Sequence, residues 1–121
     1  MVMVAVDPNR EDLKRLVTTL KKAYPGSEVI MFTESQPVAE YLENNPIDVL
    51  FTEIPMFPAD GFALQAAAEA VQPAVRTVFV TETDVYAGQA LKTHAAGYIL
   101  KPITKASIYE ALEDTKFRCN V

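Results

Sequence analysis

Four residues of this 121-residue chain could act together if folding brings them to one place: Asp7, Glu53, Thr81 and Lys101. Asp7 follows the apolar run Met1–Val6 and Glu53 follows Ile47–Thr52, while Thr81 and Lys101 end Val75–Thr81 and Gly97–Lys101. Short apolar runs bounded by turn residues read as strands buried on both faces. Singly, each residue has an ordinary use as a helix cap, a strand residue or a solvated strand end. Together, at the C-terminal ends of parallel strands, they would line the edge where open α/β sheets hold their ligands. There Lys101 can pair with the Glu53 carboxylate and Thr81 can donate a hydrogen bond to it. No nucleophile–base pair accompanies them, because the one histidine, His94, lies in a helical stretch. Nor is there a Cys or His cluster with metal-ligand spacing, or a glycine-rich phosphate cradle after strands one and three.

The elements that must position these residues can be read in order. Asn9, with Asp12 three residues on, resembles a capping box with a shorter acid, and it opens a helix whose Leu13, Leu16, Val17 and Leu20 form one apolar face. Pro25-Gly26 stops that helix, and Glu28–Phe32 is the second strand. Ser35 is the expected N-cap of helix two, with Pro37 in its first turn and Val38, Tyr41 and Leu42 facing inward. After strand three, Pro55, Pro58 and Asp60-Gly61 form a turn that can continue neither strand nor helix. Phe62–Val71 is Ala-rich and helix-forming, with Phe62, Leu64, Ala67, Ala68 and Val71 available for packing. Asp84–His94 reads as helix four with a thin stripe of Ala87, Ala90 and Leu91, and His94 at its end suits the helix dipole. Thr104 caps a fifth helix that buries Ile108, Ala111 and Leu112. Five strand–helix alternations imply a parallel sheet covered on both faces. Asp48 begins strand three, at the wrong end of the sheet for chemistry.

Composition sets the outer limits. The chain is one domain of residues 1–121, half of them hydrophobic, and residues 116–121 form a patternless tail that could begin a linker to an output domain. A formal net charge of −5, from 16 acids against 11 Lys and Arg, argues against a nucleic-acid surface in this segment. No apolar stretch is long enough to span a membrane, and Met1–Val6 lacks the basic start of a signal peptide. The single cysteine, Cys119, cannot form an internal disulfide, which fits a reducing cytoplasmic setting.

The order of strand–Asp7, strand–Glu53, strand–Thr81 in FVTE and strand–Lys101 in GYILKP resembles the receiver domain of two-component response regulators, over residues 2 to about 115. That resemblance implies a flavodoxin-like (βα)5 three-layer sandwich with sheet order 2-1-3-4-5. The segments HAAGYILKPIT and AYPGSEVIMFTES are similar to the LytTR-type regulators, which carry a DNA-binding domain after the receiver. The resemblance also implies a role for each site residue: Glu53 at the phosphoacceptor position, Thr81 and Lys101 in the phosphoryl pocket, and Tyr98 as the switch aromatic that turns inward when Thr81 engages the acid. The Lys101-Pro102 bond is cis in that family.

Two departures bear on function. The family's phosphoacceptor is an Asp, here replaced by Glu53. The second acid of the pair that holds Mg²⁺ is here Pro8, leaving Asp7 and Glu53 as a weakened metal site. One extra methylene carries the Glu53 carboxylate toward where phosphoryl oxygens would lie, with one charge against roughly −1.5 to −2 for a phosphate group. In-line phosphoryl transfer needs an accurately placed nucleophile and metal, so transfer is expected to be poor. The leading reading is a pseudo-receiver without resident cofactor, binding protein partners such as a histidine kinase or an output domain. Glu53 then either mimics the phosphorylated state or belongs to an inert scaffold. A working phosphoacceptor receiver and a small flavodoxin-like enzyme or cofactor carrier are the alternatives. A patch of Tyr86, Gln89, Lys92, Tyr98 and Tyr109 would suit partner binding or a homodimer through helix four, strand five and helix five.

Overall fold

The computed structural model describes residues 1–113, so Cys119 and the tail at 116–121 lie outside the described residues. Strands β1 (Val2–Val6), β2 (Glu28–Phe32), β3 (Val49–Thr52), β4 (Arg76–Thr81) and β5 (Gly97–Leu100) alternate with helices α1 (Arg10–Ala23), α2 (Gln36–Asn44), α3 (Gly61–Val71), α4 (Ala87–Lys92) and α5 (Lys105–Glu113). The strands form one sheet in the order β2-β1-β3-β4-β5, and every neighbouring pair is parallel. This is the flavodoxin-like (βα)5 architecture expected from the alternation and the family resemblance.

Alternation along the strands divides the core into layers. Met3, Ala5, Phe51, Val78 and Ile99 face α1 and α5, packing on Leu13, Leu16, Leu20, Ile108 and Leu112. Val4, Val6 and Leu50 face the other way, onto Val38 and Leu42 of α2 and Leu64 and Ala68 of α3. A smaller cluster of Ile54, Phe79, Ala90 and Ala95 seats α4. Successive strand residues point to opposite faces, so strands buried on both sides must be apolar throughout. One close approach lies between β5 and α5. A Cβ on Gly97 would sit 2.6 Å from the Cβ and 3.0 Å from the Cα of Ala111.

Several local expectations change in the fold. Asn9 caps α1 by accepting the Asp12 amide at 2.9 Å, but the Asp12 carboxylate turns away to Lys101 and leaves the capping box half made. Ser35 stands at the N-cap of α2 without capping it, and its hydroxyl instead accepts the Ala59 amide at 3.3 Å, tying down the loop after β3. Asp48 precedes β3 and accepts the Val2 amide at 2.7 Å. Asp60 is the N-cap of α3, accepting the Ala63 amide at 2.9 Å, so it is more than a turn residue. Helix α4 is six residues long, against the eleven of Asp84–His94. It has no side-chain cap and Leu91 is 43% exposed, so little burial remains to extend it. His94 terminates it in the left-handed conformation, φ 60°.

Candidate functional site

Each residue of the site is set by a hydrogen bond made one step past the end of a strand. The Asp7 amide donates to Phe32 O at 3.1 Å, the Glu53 amide to Val6 O at 3.0 Å, and the Lys101 amide to Thr81 O at 2.9 Å. The parallel register therefore carries these residues to one edge as the ladder's last members. Asp12 arrives from the first turn of α1.

Lys101 is the centre of the arrangement. Its ammonium lies 2.8 Å from Asp7 Oδ2, 2.9 Å from Asp12 Oδ2 and 2.8 Å from Glu53 Oε1. The second oxygens of the two buried acids are also engaged: Asn9 N donates to Asp7 Oδ1 at 2.9 Å, and Ile54 N donates to Glu53 Oε2 at 2.7 Å. Asp7 and Glu53 are only 2% and 8% exposed, so their charges depend on these donors. Burial pushes the Asp7 carboxyl above its ordinary value, more than Lys101 and the Asn9 amide pull it down. Burial alone would lower Lys101, but the hydrogen bonds it donates to Asp7, Glu53 and Asp12 outweigh it and hold the ammonium above the ordinary lysine value. Asp7, Pro8, Asn9, Asp12, Glu53, Pro55, Glu82 and Lys101 line a cleft of about 250 Å³.

Thr81 is buried at the end of β4, but among the described residues its hydroxyl makes no hydrogen bond to Glu53, whose oxygens are taken by Lys101 and Ile54. Tyr98 is half-buried against the α4 cluster, and its hydroxyl donates to Thr83 O at 2.6 Å. Burial raises its pKa above the ordinary tyrosine value. The expected aromatic patch divides. Tyr109 packs edge-on against Tyr24 at 5.5 Å and donates to Ala23 O at 2.9 Å, which commits it to the α1–α5 contact. Tyr86 meets Phe62 edge-on at 6.4 Å, while Val85, Leu91 and Leu100 are the exposed apolar residues around α4 and β5. The Lys101-Pro102 peptide is cis.

Asp12 is the site residue that sequence reasoning missed. Its position three residues after an N-cap explains it fully as a capping acid, and no local pattern links it to Lys101. Its placement on the helix that follows Asp7 was the only available signal. Magnesium, which the family resemblance implies, needs several free hard oxygens in octahedral geometry. Here Pro8 offers no side-chain oxygen, and all four oxygens of Asp7 and Glu53 accept N–H donors. Among the described residues no group of three or more His, Cys, Asp or Glu could hold a metal ion. The residues present do not fit the ion.

A doubly wound parallel sheet with an acid–lysine cluster at its C-terminal edge defines an α/β domain that carries its charged groups where such sheets bind their ligands. Residues 3–113 match the response regulator receiver domain, and the chain belongs to that family, the receiver modules of two-component signalling. It is 33% identical over 106 residues to an uncharacterised response regulatory protein of Vibrio cholerae, covering 86% of this chain and 39% of that protein. It is also 33% identical over 107 residues to the sensory transduction protein LytT of Enterococcus faecalis, covering 86% and 42%. The chain thus spans about two-fifths of the length of these curated relatives. The response regulatory domain of MrkE from Klebsiella pneumoniae shares the fold with a TM-score of 0.82, at 24% identity and 93% coverage of both chains. Among the described residues no helix is long and apolar enough to cross a membrane.

Proposed function

We propose that this chain is a pseudo-receiver: a regulatory module that works through protein contacts, without enzymatic turnover and without phosphorylation. Glu53 stands in place of the phosphoacceptor Asp. The observation that carries this reading is the Glu53–Lys101 pair, closed at 2.8 Å with Glu53 8% exposed. A carboxylate already neutralised and hydrogen-bonded on both oxygens is a poor nucleophile, and displacing it by one methylene spoils in-line attack. The hydroxyl of Tyr98 on Thr83 O favours a mimic of the active state over an inert scaffold, since it holds the ring half-buried against the cluster beneath α4. Thr81 takes no part in holding it through Glu53.

By similarity to the transcriptional regulatory protein LytR of Staphylococcus aureus, 30% identical over 103 residues, the reading extends to a cytoplasmic transcription regulator in which this module contacts a histidine kinase or an attached output domain. Exposed Val85, Leu91 and Leu100 favour pairing of two copies through α4, β5 and α5. The test is intact mass after incubation with acetyl phosphate and Mg²⁺, for the wild type and Glu53→Asp. The wild type is expected to gain no phosphate, and a phosphorylated wild type refutes the proposal. Phosphate on Glu53→Asp alone identifies the extra methylene as the block. If neither protein is modified, the loss lies at Pro8.

A further inference from the structure

We propose that the ammonium of Lys101 is the resident cation of this site, held by Asp7, Asp12 and Glu53 where the family resemblance implies a divalent metal, so that the domain neither binds Mg²⁺ nor responds to it. An ammonium has three N–H donors. Three carboxylate oxygens, at 2.8, 2.9 and 2.8 Å, use all of them. The remaining oxygens of Asp7 and Glu53 are closed by the amides of Asn9 and Ile54. A metal could enter only by expelling the ammonium from its partners and breaking backbone hydrogen bonds as well.

Asp12 makes this arrangement possible. It replaces none of the strand-edge acids, but it approaches from α1 and supplies the third contact to the ammonium. Pro8 completes the exclusion, because the residue next to Asp7 brings a ring to the cleft and no oxygen. The inference concerns cation occupancy and is independent of whether Glu53 accepts phosphate, and its test contains no phosphodonor.

The experiment is a Mn²⁺ titration at constant ionic strength, following free Mn²⁺ by electron paramagnetic resonance, with melting temperature in Mg²⁺ as a second readout. Wild type is compared with Lys101→Met, which keeps the length of the side chain and removes its charge. The wild type is expected to bind no Mn²⁺ at this cluster and to melt at the same temperature with or without Mg²⁺. Lys101→Met frees three carboxylates, so it should bind Mn²⁺ at least about tenfold more tightly than wild type and gain melting temperature with Mg²⁺. Lys101→Gln, which keeps a donor for the acids, carries the same test if Lys101→Met does not fold. In wild-type protein, Mn²⁺ broadening of the Asn9 and Ile54 amide resonances would overturn the proposal. It also falls if a folded Lys101 variant binds Mn²⁺ no better than wild type.

Discussion

Gly61 and Gly88 offer one chemical change with opposite expected signs. Both lie in helices, where Gly→Ala normally gains roughly 0.5–1 kcal/mol by restricting the unfolded chain. At Gly88 a Cβ meets nothing within 4 Å, so Gly88→Ala should realise that gain. At Gly61 a Cβ would lie 2.5 Å from the Glu53 carbonyl oxygen, 3.0 Å from Ile54 Cα and 3.2 Å from Phe79 Cε1. The two nearer obstacles are backbone and cannot rotate away, so α3 must withdraw from the end of β3. Forced overpacking costs about 1–3 kcal/mol. Withdrawal also strains the 2.9 Å hydrogen bond from Gly61 N to Ile54 O, worth about 1 kcal/mol. These terms exceed the helix gain, and Gly61→Ala should be destabilised by about 1–3 kcal/mol. Urea unfolding measures both variants, and in a domain of this size each kcal/mol moves the melting temperature by roughly 4 °C. Because the first obstacle is the Glu53 carbonyl, the amide resonance of Ile54 should move in Gly61→Ala and stay in place in Gly88→Ala. A Gly61→Ala protein as stable as wild type would refute the packing argument.

His94 adopts φ 60°, where a side chain costs roughly 1 kcal/mol, so His94→Gly should raise the urea midpoint by a corresponding amount. Tyr24 is pushed up to about 12, first by burial and then by its hydrogen bond to Glu113, and absorbance at 295 nm should resolve a late-titrating tyrosine that Glu113→Gln brings nearer 10. Since this folded value lies above the unfolded one, the Tyr24 contribution to stability is full below pH 10 and is lost as pH rises from about 10 to 12. Gln72 donates to Leu42 O and Asn45 O and accepts the Ile47 amide, each at 2.8 Å, so Gln72→Ala should cost about 2–3 kcal/mol in urea unfolding.

What could be read from the sequence was what depends on local pattern. The apolar runs of β1, β3 and β4 and the 3.6-residue stripe of α1 announce themselves, because burial on one or two faces dictates residue type position by position. The strand ends are legible for the same reason, and with them Asp7, Glu53, Thr81 and Lys101. Partners that lie far apart in the chain are not. Asp12 meets Lys101 across 89 positions, and Gln72 clasps the end of α2 through contacts that no periodicity encodes. Helix α4 read too long because Asp84, Val85 and Tyr86 fit a helical window, yet Val85 is 72% exposed and Tyr86 alone of the three packs on the cluster beneath α4. Tyr109 fits a surface patch by spacing alone, and its destination was set by Tyr24 on another helix.

The missing side chain at Gly97 has a mechanical consequence. Over most of the core the layers meet through longer side chains, whose rotamers can absorb a displacement before it passes on. At Gly97 the strand comes so near α5 that an added Cβ would lie 3.0 and 3.2 Å from the Cα and carbonyl oxygen of Ala111, which leaves no room for a side chain between them. Strand β5 and helix α5 thus form a stiff joint with little slack. Lys101 follows the last residue of that strand, so whatever tugs on its ammonium at the acid cluster pulls on α5 as well.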